Sequence, residues 1–267
     1  MAVSMDAQLA LIQKRIEAKV ANKNKADQDT RSLTDNSVTK SNALSRAYYR
    51  FSIGEKRVME ALISRLHPMR SDNDLQNIEL TAVEYSKAYG VALNHSYKEL
   101  SDAVDGLFTK VIITVDGRDL VKNSLMSQAR YKKHEGRIVC TLDPRIVPQL
   151  IGLREKFSSY PLAKAVNFKS SYTWRFYEIL VSWAQPKADT DGRFCGWFDV
   201  RTDELRRMLG VPDSYNYGRF RKSVLEHVTN ELFQKANIIL AMEPKKTSRK
   251  ITSYSVKFME SDQLKLL

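Results

Sequence analysis

Val58, Met59, Leu62, Ile63 and Leu66 fall three or four residues apart, the spacing of one apolar helix face. Ser52 stands ahead of them with Glu55 three residues on, a capping box that predicts a helix starting there and ending before Pro68 and "MRSDND". "IEL" (78–80) reads as a short strand. Thr81 and Glu84 form a second capping box, with Leu80 and Tyr85 spaced as a hydrophobic staple, and that helix stops at Gly90. A third helix is expected from about Ser96 to Lys110. Strands follow at about 111–115, 124–133 and 137–142, with "HEG" (134–136) as the last turn, and "DPRIVPQLIGL" adds a short helix.

The later chain repeats this order. "FKSSYTWRFYEILVSWA" (168–184) predicts a helix, "WFDV" (197–200) a short strand, and "RTDELRRMLG" a helix stopping at Gly210. "NYGRFRKSVLEHVTNEL" (216–232) is the third helix, and "NIILAME" and "KITSYSVKFM" are strands around the basic hairpin "PKKTSR". At an offset of about 120 residues, Gly90-Val91 matches Gly210-Val211, and Tyr97, Leu100, Val104 and Phe108 match Tyr217, Phe220, Val224 and Val228. Two copies of one module follow from that shared register. Helix, strand, helix, helix and β-hairpin is the plan of a winged helix, whose third helix enters the major groove while the hairpin reaches the backbone. The expected fold is therefore α+β, with two tandem winged-helix domains related by an internal pseudo-repeat. Domain one spans 41–152, a connection 153–167, and domain two 168–267. Residues 1–40 form a polar tail in which Leu9, Ile12, Ile16 and Val20 suggest a short amphipathic helix for a partner or dimer contact, or a partly ordered segment.

Charge decides which faces matter. The 267 residues carry 43 Lys and Arg against 31 Asp and Glu, a net charge of +12, which favours a polyanionic partner. On a helical wheel, Phe220, Val224, Leu225, Val228 and Leu232 share one side of the 216–232 helix, to pack on Leu205, Met208 and Leu209. The other side holds Arg219, Lys222, Ser223 and Glu226, and Arg221 lies near the buried edge, free to reach outward or to pair with an acid. Arginine bonds guanine O6 and N7 in a bidentate way, lysine serves guanine or phosphate, and small Ser223 lets the helix approach the bases. Lys245, Lys246, Arg249 and Lys250 occupy the wing that follows, placed for phosphates. In the first module the matching helix presents Glu99, Asp102 and Asp105, which repel phosphate. Its wing is basic, with Arg130, Lys132, Lys133 and Arg137 and His134 at the turn. Base reading is thus expected chiefly from module two, with module one contacting the backbone through its wing and free to meet protein. Arg57 with Glu60 and Arg175 with Glu178 repeat as structural pairs at a helix junction, and Trp174, Trp183 and Trp197 are expected in the core.

Other chemistries lack their signatures. The histidines His67, His95, His134 and His227 include no His-hydrophobe-His pair, and no G-x-x-x-x-G-K-[ST] P-loop occurs, so neither a metal site, a cofactor nor an enzymatic activity is expected. Asp72/Asp74 and Asp116/Asp119 sit in predicted turns. Two cysteines, Cys140 and Cys195, cannot make a four-ligand zinc site and fit a reducing cytoplasm. No apolar run approaches the roughly 18 residues of a membrane span, and the N-terminus does not read as a secretory signal.

"SNALSRAYYRFSIGEKRVMEALISRL", "YPLAKAVNFKSSYTWRFYEIL", "FDVRTDELRRMLGV" and "YGRFRKSVLEHVTNEL", in that order, resemble the theta-type plasmid replication initiators, the family of the F-plasmid initiator. The resemblance covers about 41–260; Phe176 stands where Leu or Ile is commoner, and "VTNEL" replaces a more usual Ala and "EIN". It implies a double winged-helix protein that binds directly repeated iterons as a monomer, and a dimer that binds an inverted-repeat operator and represses its own promoter. It also implies recruitment of the host initiator and replicative helicase after duplex opening. A winged-helix repressor without initiation activity, a replication nuclease or primase, and a basic scaffold without sequence preference are the competing readings.

Overall fold

The computed structural model describes residues 32–66 and 77–261. The N-terminal helix expected around Leu9–Val20, together with His67, Pro68, Asp72 and Asp74, lies outside the described residues.

The first module runs β1 (Ser37–Ser41), α1 (Asn42–Ser45), α2 (Ile53–Ser64), β2 (Ile78–Thr81), α3 (Ala82–Tyr89), α4 (Leu93–Phe108), β3 (Ile112–Asp116), β4 (Asp119–Asn123), β5 (Met126–Lys132) and β6 (Arg137–Leu142). Both capping boxes form: Ser52 and Glu55 exchange side-chain and backbone hydrogen bonds, as do Thr81 and Glu84. Leu80 and Tyr85 are buried as the staple requires. Gly90 and Gly210 end their helices at φ of 65° and 64°, a conformation that favours glycine. The second module runs α5 (Ser171–Trp183), β8 (Cys195–Arg201), α6 (Thr202–Met208), a long third helix, β9 (Ile238–Thr247) and β10 (Lys250–Glu260). That third helix, α7, has an α-helical turn Tyr217–Phe220, a π-helical segment Arg221–Glu226 and an α-helical segment His227–Ala236.

The two sheets share one topology. The strand order is β2-β6-β5 in the first module and β8-β10-β9 in the second, so in each the strand ahead of the paired helices joins the second wing strand. This is the double winged helix that the repeat predicted.

The structure departs from the sequence expectations in several places. The tail expected to extend to residue 40 ends earlier: Leu33 and Val38 are buried, and β1 belongs to the fold. The segment read as a connection, 153–167, contains strand β7 (Phe157–Pro161), which pairs antiparallel with β1 with Thr39 opposite Ser159. The β1–β7 pair thus ties the start of the first module to the segment that leads into the second. The strand expected over 124–133 forms as β5, but it is preceded by a strand the sequence did not announce, β4, which pairs back on β3 as a separate hairpin. "DPRIVPQLIGL" yields only a 3-10 turn at Val147–Gln149. A fifth difference is in register. Leu107, not Phe108, is buried opposite Val228; Phe108 is 41% exposed. A π-helical segment accommodates an extra residue per turn, so the pairing with α4 slips by one after it.

The modules share one continuous apolar core, which runs from Leu33 to Phe258. Within it Tyr89 and Phe168 each lie 6.3 Å from Trp174, joining α3 to α5. The expectation that all three tryptophans are core fails for Trp197. It is 53% exposed because it stands on the outer face of β8, whereas Trp174 is buried and Trp183 stacks on Phe198 at 5.5 Å.

Candidate nucleic-acid interface

α7 is built to be held from behind. Phe220, Val224, Leu225, Val228 and Leu232 are all buried, as are Leu205, Met208 and Leu209 of the preceding helix. Glu231, buried on the same side, accepts hydrogen bonds from the Lys169 backbone N–H at 2.5 Å and from the Thr173 hydroxyl, which pins α7 to the start of α5. Asn216 caps the other end, its Oδ1 accepting from the Arg219 N–H at 2.9 Å. Arg206 donates to the carbonyls of Pro212 and Tyr215 at 3.1 and 2.7 Å, which fixes the turn entering the helix. The helix can therefore present its other face without moving.

That face carries Arg219, Lys222 and Ser223, all exposed. The Arg219 guanidinium lies 3.9 Å over the Tyr215 ring, which restricts the side chain while leaving its N–H edge free to donate. Arg221, expected near the buried edge to reach outward or to pair with an acid, does both. Its side chain is 64% exposed and its Nε meets Glu226 Oε1 at 3.2 Å. Residues five apart diverge on an α-helix; the π-helical turn brings this pair onto one side. Arg221 must exchange that acid for any anionic ligand, whereas Arg219 and Lys222 need not.

The second wing is long and exposed, closing in a turn at Ser248, where φ is 57°. Lys246, Arg249 and Lys250 extend from it, while Lys245 is held at 2.9 Å by Asp199 on β8. Tyr217 and Tyr254 share a hydrogen bond of 2.8 Å between their hydroxyls, which ties the start of α7 to the wing. Burial is the main cause that pushes the Tyr254 hydroxyl up from its ordinary pKa, followed by that bond, so it remains neutral. Removing Lys246 or Arg249 as alanine should lower DNA affinity about equally across sequences and reduce the salt slope of binding by about one each. Removing Lys245 should reduce it less. Anisotropy titrations over a salt series check this.

In the first module the acids stand on α4 as expected but are partnered, Asp102 by Lys98 at 2.5 Å. Asp102 and Asp105 are exposed, Asp105 accepts from Tyr131 Oη at 2.5 Å, and Glu99 is drawn inward by Arg57 and Tyr85 at 3.0 and 2.9 Å. Arg57 thus pairs with Glu99 and not with Glu60, as the sequence suggested; Glu60 is taken by Lys40 and Lys56. Arg175 and Glu178 do pair, at 2.7 Å. Of the first wing's cations, Arg130 and Lys133 are exposed, Lys132 lies 3.6 Å from Glu135, and Arg137 is bound by Glu79 and Glu135. Two of the four are thereby partly neutralised.

Sequence reasoning missed Arg50, Tyr172 and Tyr215. Arg50 is exposed beside the Gly210 turn, and Arg50, Tyr215 and Arg219 all act on the Tyr172 hydroxyl, whose pKa is raised first by burial and next by Tyr215. Arg50 sits in an irregular stretch ahead of Ser52, where no periodicity marks a face. Among the described residues no group of three or more His, Cys, Asp or Glu could hold a metal ion, and no helix is long and apolar enough to cross a membrane.

Fold and face together define a double winged-helix protein with a cationic third helix and basic wing in its second module. The "Initiator Replication protein, WH1" family model matches residues 37–181 and the "Initiator Rep protein, WH2" model residues 201–258. The chain belongs to this family of plasmid replication initiators. Among solved structures it is similar to the Pi initiator protein in complex with iteron DNA, at TM-score 0.70 and 16% identity over 86% of this chain and 99% of that one. The WH1 domain of MSBI1.176, a replication protein isolated from a multiple sclerosis patient, matches at 20% identity over 38% of this chain and 78% of that chain, with a TM-score of 0.32.

Proposed function

We propose that this chain initiates plasmid replication by binding directly repeated iterons through the exposed edge of α7, with the second wing on flanking phosphates. The observation that carries the reading is that Arg219, Lys222 and Ser223 face outward on a helix whose opposite side is fully buried. The second module is the main reader. The first adds backbone contacts through Arg130 and Lys133, because the acids on α4 disfavour a groove there. Two modules on one chain, about one helical turn apart, make a site of roughly 20 bp on one face of the duplex. Family membership and the likeness to a Pi initiator solved on iteron DNA support duplex opening and recruitment of host initiator and helicase as the steps that follow.

The same chain is read as an autorepressing dimer, in balance with the monomer. The β3–β4 hairpin supports that. Its Val115, Leu120 and Val121 are exposed, with Phe108 and Val111 beside them, and β4 pairs only with β3 among the described residues. An open strand edge with apolar flanks suits addition of a second copy. Leu120→Asp should shift the sedimentation of the free protein toward the monomer without weakening iteron binding.

Footprinting on DNA flanking the encoding gene tests the main reading. An initiator protects tandem repeats there and renders an adjacent AT-rich segment reactive to permanganate on supercoiled DNA. A repressor protects without melting. Nicking or primer synthesis by the purified chain with Mg²⁺ contradicts the assignment as a binding protein, and affinity that ignores base sequence identifies a basic scaffold.

A further inference from the structure

The interface between the modules is ionic at its centre. Lys40 of β1, Lys56 and Glu60 of α2, and Arg175 and Glu178 of α5 meet there with side chains 0–2% exposed. Glu60 and Glu178 are repeat equivalents, so each module contributes one carboxylate. Every oxygen of the two is satisfied. Lys40 Nζ lies 2.9 Å from both oxygens of Glu60 and also donates to Glu178 Oε1. Lys56 Nζ bridges Glu60 at 2.5 Å and Glu178 at 2.6 Å. The Tyr160 hydroxyl reaches both carboxylates, at 3.1 and 3.0 Å, and receives the Trp174 N–H at 3.0 Å.

One member connects this cluster to the DNA-reading unit. Arg175 donates from Nη1 to Glu178 and to the Tyr49 hydroxyl, each at 2.7 Å. Its Nη2 reaches the Ala47 carbonyl at 2.8 Å and the Met208 carbonyl at 3.2 Å. Met208 ends α6, two residues before the Gly210 turn that leads into α7. That turn abuts the first module: a Cβ at Gly210 would lie 2.5 Å from the Tyr49 carbonyl oxygen. Apolar contacts can repack in a shifted register with part of their burial kept. Directed contacts among buried charges cannot, since any slip leaves a charge unpaired in a dry interior.

We propose that Lys40, Lys56, Glu60, Arg175 and Glu178 form an orienting joint that fixes the angle between the modules and so sets the half-site spacing one chain accepts on DNA. These are positioning residues; none is placed to touch the ligand. The inference rests on the reading that both modules engage one duplex.

The test uses the full chain and a 30-bp duplex enriched by it from a random library. Variants of that duplex carry one or two base pairs inserted or deleted at the centre of the protected region. Each added pair rotates the half-sites by about 35°, so the wild type should lose about tenfold in affinity or more per step. Lys40→Met is the informative substitution, because it leaves two cations facing two carboxylates. It should weaken binding to the best spacing and leave the displaced spacings unchanged or tighter, shrinking the preference to about threefold or less. Loss of folded protein alone would weaken every duplex by one factor and keep the ratio. Tyr160→Phe, which removes only the bridging hydroxyl, carries the same comparison if Lys40→Met does not fold. A variant shown to be folded, Lys40→Met or Tyr160→Phe, that retains the full wild-type preference, with or without a uniform loss, overturns the joint. A wild type indifferent to spacing overturns the two-module reading beneath it.

Discussion

Reversing two charges on α7, Arg219→Glu with Lys222→Glu, should abolish sequence-specific binding while leaving the fold intact. Both side chains are exposed, so the change removes no core contact. A bidentate arginine–guanine contact discriminates by about 1–3 kcal/mol, and placing two carboxylates against the groove adds repulsion to that loss. The specific complex should therefore weaken by a factor of about a thousand, toward non-specific affinity. The same reversal at Arg130 and Lys132 should weaken specific and competitor DNA together. Lys132 already lies near Glu135, and in the proposed reading the acids on α4 disfavour base contact in that half-site. Anisotropy with specific and scrambled duplexes measures both. If the first-wing pair alone destroys base preference, the roles of the modules are reversed.

The second large effect is on stability. Glu178→Gln should lower the unfolding free energy by about 3–5 kcal/mol, because it strands Lys40, Lys56 and Arg175 in a buried site with one carboxylate fewer. Burial alone would push the Glu178 carboxyl up; Lys40, Lys56 and Arg175 together outweigh it and hold it well below the ordinary carboxylate range. A depressed folded pKa gives stability that is present above the unfolded value, about 4.3, and lost as pH falls through the folded value. Thermal melts at pH 7, 4 and 3 should show the gap between wild type and Glu178→Gln narrowing in the acid range. A gap independent of pH would mean that Glu178 is not ionised in the fold.

The legible parts of this protein were those governed by local rules. Capping at Ser52 and Thr81 depends on residues three apart, and it formed as written. The buried side of α7 depends on helical spacing, and all five of its apolar residues are buried. What escaped the sequence depends on distant partners. β1 and β7 are five residues each, with polar sequences, and become strands only because they find one another. The ionic joint draws on three elements far apart in the chain, so nothing in the local pattern singled out Lys40 or Lys56, and Arg57 was matched with the wrong acid. The π-helical turn leaves no mark in the apolar pattern until Phe108 is found exposed and Leu107 buried. At the site itself, Arg219, Lys222 and Ser223 were legible because the face opposite them is apolar. Arg50 and the Tyr215 ring were not, since Arg50 lies in a distant irregular stretch and Tyr215 in the turn just ahead of the helix, where no periodicity applies.

Attaching an iron–EDTA group at Ser223 tests the central claim most directly. Cys140 and Cys195 are both buried, so Ser223→Cys offers one accessible thiol among the described residues on the face in question. Bound to its repeat, the labelled protein should cut the duplex at a few adjacent base pairs, at one fixed position inside the protected region. Replacing guanine by 7-deazaguanine there should weaken the wild type and leave Arg219→Ala unaffected. Cutting spread evenly over the site, or absent while the complex forms, would contradict the placement of α7 in the groove.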